Sequence, residues 1–208
     1  MPNWCSNKLY ITGDRVAIAD FIKRATNTPE QQESRKQTYD ILNNLYPCPE
    51  ELTNTMSGSY GNDTEKQAEL EAKQATNLAK YGARDWYDWC NNNWGTKWGD
   101  SDTYLNGAEG DKQVEFGFES AWSPPIQGIS HIATMFPTLK FALSYEELGM
   151  GFFGLATFEA DGDYLDDCHE VEDLDGYGKI DFDDEDSYIE VVELVVTEQE
   201  KLLEGAGW

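Results

Sequence analysis

The stretch Gln113–Tyr145, QVEFGFESAWSPPIQGISHIATMFPTLKFALSY, decides the fold. It opens with strict alternation: Val114, Phe116 and Phe118 share one face and Glu115 and Glu119 the other, the two-residue period of a half-buried strand. Ala121-Trp122-Ser123-Pro124-Pro125 then starts a helix running to about Phe136, with proline suited to a first turn whose N–H lacks a helical partner anyway. Leu139 to Tyr145 returns as a strand. Upstream, Thr103 to Asn106 reads as the hairpin partner of Gln113 to Glu119, across the turn Gly107-Ala108-Glu109-Gly110-Asp111. Asn7 to Thr12 is a short strand closed by Gly13, and Val16 to Ala25 a helix with Asp14 as its N-cap. Downstream, Gly151 to Phe158 forms another strand, joined through Glu146-Glu147-Leu148-Gly149.

In order this is β-α-(inserted helices)-β-β-α-β with one extra strand. It specifies an α+β chain with a ferredoxin-like split βαβ core, an antiparallel sheet with helices on one face. The core domain spans residues 1–158, with a helical insertion at about 28–100. Residues 159–208 are an acidic C-terminal region packed on that domain or extending from it. Within the insertion, Pro29 marks a boundary and Ser34 to Leu45 is expected as one helix. Asp63 to Tyr81 is a helix with a capping-box spacing in Thr64-Glu65-Lys66-Gln67 and a stop at Gly82. That helix is polar nearly all round, so it rides on the domain. Tyr188 to Leu203 fits a strand, a helix or one after the other: its valines favour strand and its EQEKLLE end favours helix.

The 208 residues carry 40 acids against 15 bases, a net charge of −25. Residues 1–140 hold 19 acids and 13 bases, while 141–208 hold 21 acids and only Lys179 and Lys201. The anomaly belongs to the last third. It argues against a basic face for phosphates, hence against direct nucleic-acid binding, and against docking on anionic lipid. No 18-residue apolar run is present, and Met1-Pro2-Asn3-Trp4 lacks the features of a signal peptide, so the expected setting is the cytoplasm. Cys5, Cys48, Cys90 and Cys168 form no CxxC pair, and only His131 and His169 stand beside them. Reduced, partly buried thiols are expected, with neither zinc nor any cofactor.

The blocks PNWCSNKLYITG, YGARDWYDWCNNNWGTKW, FESAWSPP and YEELGMGFFG resemble the Api92-like family, which includes YubB-type proteins with a ferredoxin-like domain. The resemblance runs in blocks over about residues 1–158, and the acidic region beyond Phe158 falls outside it. It implies an accessory protein of a phage or plasmid acting in the cytoplasm of a bacterial host, and it implies no particular biochemical activity.

Four constellations are candidates for function. Trp94, Lys97 and Trp98, with Trp122 from the next block, could stack a nucleotide-like ligand and neutralise a phosphate; the alternative is that these indoles anchor the insertion on the sheet. Counted from Asp173, acids stand at positions 1, 3, 9 and 12 (Asp173, Asp175, Asp181 and Asp184), with Gly178 at position 6. That is close to an EF-hand calcium loop. Tyr177 at position 5 and the short Asp184 at position 12 leave the ligand set incomplete, so no specific metal site is assigned. Catalysis has no recognisable motif, and a non-enzymatic chain is expected. His131 reads as a packing residue in the helix.

The fourth is the acidic surface itself, Asp161, Asp163, Asp166, Asp167, Asp173, Asp175, Asp181, Asp183, Asp184 and Asp186. Carboxylates on a rigid fold can stand in for the phosphates of DNA, which carries one charge per ~1.7 Å of duplex. The expectation is a counter-defence protein that binds a host nucleic-acid-handling protein, such as a nuclease or guide-RNA effector. The alternatives are sequestration of a nucleotide-like immune signal in the tryptophan pocket, or a replication or structural accessory role with the acids serving solubility.

Overall fold

The central strand β1 (Trp4–Gly13) buries Cys5, Asn7, Leu9 and Ile11, every second residue, and so places one face on a core. The computed structural model describes residues 3–108, 110–180 and 186–208. Helix α1 (Arg15–Ala25) follows, capped by the Asp14 carboxylate, which accepts from the N–H groups of Val16 and Ala17.

Five helices come next: α2 (Pro29–Arg35), α3 (Ile41–Leu45), α4 (Glu50–Thr53), α5 (Thr64–Tyr81) and α6 (Trp86–Asn93). The single helix expected over Ser34 to Leu45 is in fact two. Lys36 adopts a left-handed conformation (φ 58°) and ends α2, and Asp40 caps α3 afresh. Pro29 starts a helix instead of bounding one, under a capping box formed by Thr28 and Gln31. The box expected at Thr64 is absent, because Asp63 is the N-cap and accepts from Lys66 N–H. Helix α5 buries only Leu70 and Asn77.

Strands β2 (Ser101–Asn106) and β3 (Gln113–Ala121), helix α7 (Ile126–Met135) and strands β4 (Leu139–Glu147), β5 (Phe152–Phe158) and β6 (Tyr164–Glu170) complete the sheet. The described strands lie in the order β2-β3-β1-β4-β5-β6, with antiparallel neighbours throughout. Its first four members, with α1 and α7, are the ferredoxin-like arrangement, and β5 and β6 extend the sheet beyond it. Phe21 of α1 centres the core, its ring 5.6, 5.2 and 5.8 Å from those of Phe116, Phe136 and Phe141.

The chain from 187 to 205 is one helix, α8 (Ser187–Gly205). It covers the other face of the sheet. Phe152 packs with the α1/α7 core, while its neighbour Phe153 joins a second cluster with Val171, Val191 and Val195. Successive strand residues point to opposite faces, so α8 lies across the sheet from α1 and α7.

Gly154 fixes how β5 and β6 meet. A Cβ there would stand 2.4 Å from Tyr145 Oη and 2.6 Å from the Asp167 carbonyl oxygen, the latter unable to move without its strand. Tyr145 crosses this gap to hydrogen-bond Asp166 Oδ1 at 2.5 Å. Gly154→Ala is therefore expected to cost about 2 kcal/mol of stability in chemical denaturation. Unchanged stability would mean that Tyr145 and β6 yield freely.

Candidate functional site

The tryptophan blocks converge on one place. The loop after α6 is stapled to the β3–α7 junction: Thr96 Oγ1 donates to Ala121 O (2.8 Å), Ser123 Oγ to Gly95 O (2.6 Å) and Gly128 N–H to Trp94 O (3.2 Å). The last of these satisfies a first-turn N–H of α7, and Gly128 lacks the side chain that would strike Leu42 Cδ2 at 2.7 Å. Trp94 is almost fully buried, donates from Nε1 to Tyr46 O (2.8 Å) and meets Trp89 edge-on at 5.4 Å. Its role is that of a core anchor that also forms a wall.

That wall belongs to an open groove of about 380 Å³ lined by Cys48, Trp86, Cys90, Trp94, Lys97 and Trp98, among others. Lys97 Nζ sits 4.5 Å from the Trp98 ring and 5.8 Å from the Tyr87 ring, within cation–π range. Trp98 is exposed at the mouth, its ring 6.3 Å from the exposed Trp4. Trp94, Lys97 and Trp98 are thus brought together as the sequence suggested. Trp122 is not. It adopts φ 73°, gives its N–H to Asn3 O and exposes its indole apart from the groove lining.

Sequence reasoning missed the groove's two cysteines, which are free. Interaction with the Cys90 thiol first, and with the Thr53 hydroxyl after it, holds the Cys48 thiol below its ordinary value. The same contact and burial push Cys90 up. His131 stacks on Tyr46 at 3.7 Å, and desolvation pulls its pKa down.

None of the described acidic residues lines that groove, although Asp166 shares a second cleft with Gly95 and Ser123 beside the same loop. Asp161 and Asp163 form the β5–β6 turn, where Asp163 N–H donates to Asp161 Oδ1 (3.1 Å). Asp166 and Asp167 lie on β6 and point to opposite faces of the sheet. Asp167 Oδ1 is 3.0 Å from His169 Nε2 without the alignment of a hydrogen bond, and the His169 ring stacks on Phe153. Asp173 ends a 3-10 turn, Asp175 follows it, and Asp186 stands at the N-cap of α8. Asp181, Asp183 and Asp184 lie outside the described residues, as do two of the four EF-hand-like positions. A strand and a 3-10 turn lead into that loop where an EF-hand has a helix, and Leu174, Tyr177 and Ile180 pack on the second cluster. Among the described residues no His, Cys, Asp and Glu side chains gather as a metal site.

Residues 93–191 match the family model for the ferredoxin-like domain in Api92-like protein. The chain carries an Api92-like ferredoxin-like domain. The match ends at Val191 inside α8, so the family pattern includes β6 and the acidic turn, which the sequence reading had placed beyond it. The crystal structure of a protein Api92 from Yersinia pseudotuberculosis is similar at 13% identity over 82% of this chain and 98% of that one, with a TM-score of 0.47. None of the curated proteins compared with the sequence matches it. Among the described residues, no helix is long and apolar enough to cross a membrane.

Proposed function

We propose that the protein acts by binding, as a counter-defence protein of a phage or mobile element, with its acidic sheet edge docking on a basic protein surface that normally holds nucleic acid. The observation behind this reading is β6. It is an edge strand, exposed along nearly its whole length, and it carries Asp166, Asp167 and Glu170 just after Asp161 and Asp163. Carboxylates held on both faces of such a strand present negative charge without the cost of ordering a loose tail on contact. Charge on an edge strand also discourages pairing with another chain, so the surface favours side-chain docking over sheet extension.

The test is binding to host nuclease and guide-RNA effectors. Affinity is expected to fall at least tenfold between ~50 and ~500 mM salt, and duplex DNA is expected to compete. Asparagine replacement of Asp161, Asp163, Asp166, Asp167, Asp173, Asp175 and Asp186 is expected to abolish it. Equal binding at both salt concentrations, or by the neutralised variant, refutes the reading.

A second reading rests on the groove, which is lined by one cation and no carboxylate although the chain's net charge is −25. It would hold an anionic aromatic ligand of the nucleotide class between Trp98 and Lys97. A nucleotide-dependent thermal shift lost in Trp98→Ala supports it, and no shift with any nucleotide counts against it.

A further inference from the structure

Two thiols 42 residues apart in sequence meet in the aromatic groove. Cys48 belongs to the turn before α4 and is half-buried, while Cys90 belongs to α6 and is buried. Both line the groove and both are free, and each thiol shifts the titration of the other, Cys48 downward and Cys90 upward. Two cysteines on one small groove can reach the Cα separation of about 4.4–6.8 Å that a disulfide needs. We infer that Cys48 and Cys90 are a redox-active dithiol that exchanges with an anionic low-molecular-weight disulfide, of the glutathione disulfide class, entering through the groove.

The two thiols are unequal in the way exchange requires. Cys48 is the more open, and its interactions with Cys90 and Thr53 favour its thiolate; Cys90 is deeper, and the neighbouring Cys48 thiol and burial keep it protonated until the second step. Lys97 supplies the positive charge for the ligand's carboxylates, and the indoles of Trp86 and Trp98 supply apolar walls. In the first step the Cys48 thiolate attacks one sulfur of the disulfide, the S–S bond breaks and one thiolate leaves, giving a mixed disulfide on Cys48. In the second, Cys90 loses its proton and attacks the Cys48 sulfur, expelling the second thiolate. The two cysteines are oxidised by two electrons, one disulfide is reduced to two thiols, and the two protons shed by the cysteines pass to them. The product ties the turn before α4 to α6, across the base of the α5 insertion, and closes part of the groove.

The other two cysteines serve as controls. Cys5 is fully buried in β1, and Cys168 is exposed on β6 and does not line the groove. In the full chain carrying Cys168→Ser, incubation in glutathione/glutathione disulfide buffers is expected to remove two thiols together, and peptide mapping is expected to find the 48–90 bond. With Cys90→Ser added, the reaction is expected to halt as a glutathione adduct on Cys48. Cys90→Ala is the substitute if the serine variant fails to fold. In the unmodified chain at neutral pH, iodoacetamide is expected to alkylate Cys48 about tenfold faster than Cys168, despite the greater exposure of the latter. The inference is overturned if no 48–90 disulfide forms at any buffer ratio in the folded chain. It is equally overturned if a folded Cys90 variant takes up no glutathione at Cys48. Neither result bears on the acidic edge, so this inference stands or falls independently of the proposed binding function.

Discussion

Trp94→Ala is expected to lower the unfolding free energy by about 4 kcal/mol, whereas Trp98→Ala is expected to change it by less than about 1 kcal/mol. The two residues are four apart in one loop and look alike in the sequence. Their surroundings differ. Truncating Trp94 opens a void among Leu42, Trp89 and Gly128 and leaves the Tyr46 carbonyl without its indole donor. A buried indole removed in this way costs both its transfer free energy and the cavity that the backbone braces around it cannot refill. Trp98 keeps more than a third of its surface in water and touches Trp4 and Lys97, both on the outside. Denaturant titration of the two variants separates these roles. Equal midpoints would show that Trp94 is a ligand-facing residue and not a brace. The same contrast decides how the groove is probed, because lost ligand binding is interpretable in Trp98→Ala and not in a half-unfolded Trp94→Ala.

The parts of the fold legible in the sequence are those where burial leaves a period. Strand β3 alternates because one face is buried against α1 and α7, and α7 begins directly after the two prolines, with Pro125 at its N-cap instead of in its first turn. Strand β6 left no such trace. Its residues, YLDDCHE, are nearly all exposed, and it is held to β5 by backbone pairing that side-chain patterns do not report. The helix over 187–205 was ambiguous for a related reason. Val191, Val195 and Gln199 are its buried residues and stand four apart in succession, yet Val192 and Val196 beside the valines give the run the β-branched look of a strand. The split between α2 and α3 turns on Lys36, a residue type that carries no signal for a left-handed conformation.

At the groove, Trp94, Lys97 and Trp98 were legible because they share one short segment. Cys48 and Cys90 were not, since only the folding of the insertion brings them together. Trp122 was misplaced because its positive φ turns the indole away at the end of β3. The acidic residues were legible as a composition and not as a surface: Asp166 and Asp167 are neighbours in sequence, yet the pleat sends them to opposite faces.

Asp100 carries the other large prediction. It is buried, and it accepts three hydrogen bonds, from Ile41 N–H (2.9 Å), Leu42 N–H (2.8 Å) and Thr103 Oγ1 (2.7 Å), so it holds the first turn of α3 against the start of β2. Asp100→Ala leaves two helix N–H groups and a hydroxyl without partners in a dry site, at an expected loss of about 3 kcal/mol at neutral pH. Burial first, and the charge of nearby Asp40 second, push the Asp100 carboxyl up to about 6. Asp40 itself is paired with Arg35. A carboxyl raised in the folded state binds protons more tightly there than in the unfolded chain. Its share of stability is therefore greatest near pH 4 and declines as pH rises to about 6, by on the order of 3 kcal/mol. The variant lacks that group, so its deficit relative to the unmodified chain is expected to be larger at pH 5 than at pH 7.5. Urea titrations of both chains at the two pH values measure the difference. An equal deficit at both would show that Asp100 stays ionised throughout and that Arg35 neutralises the pair. A deficit below about 1 kcal/mol would show that the three donors find other acceptors once the carboxylate is gone.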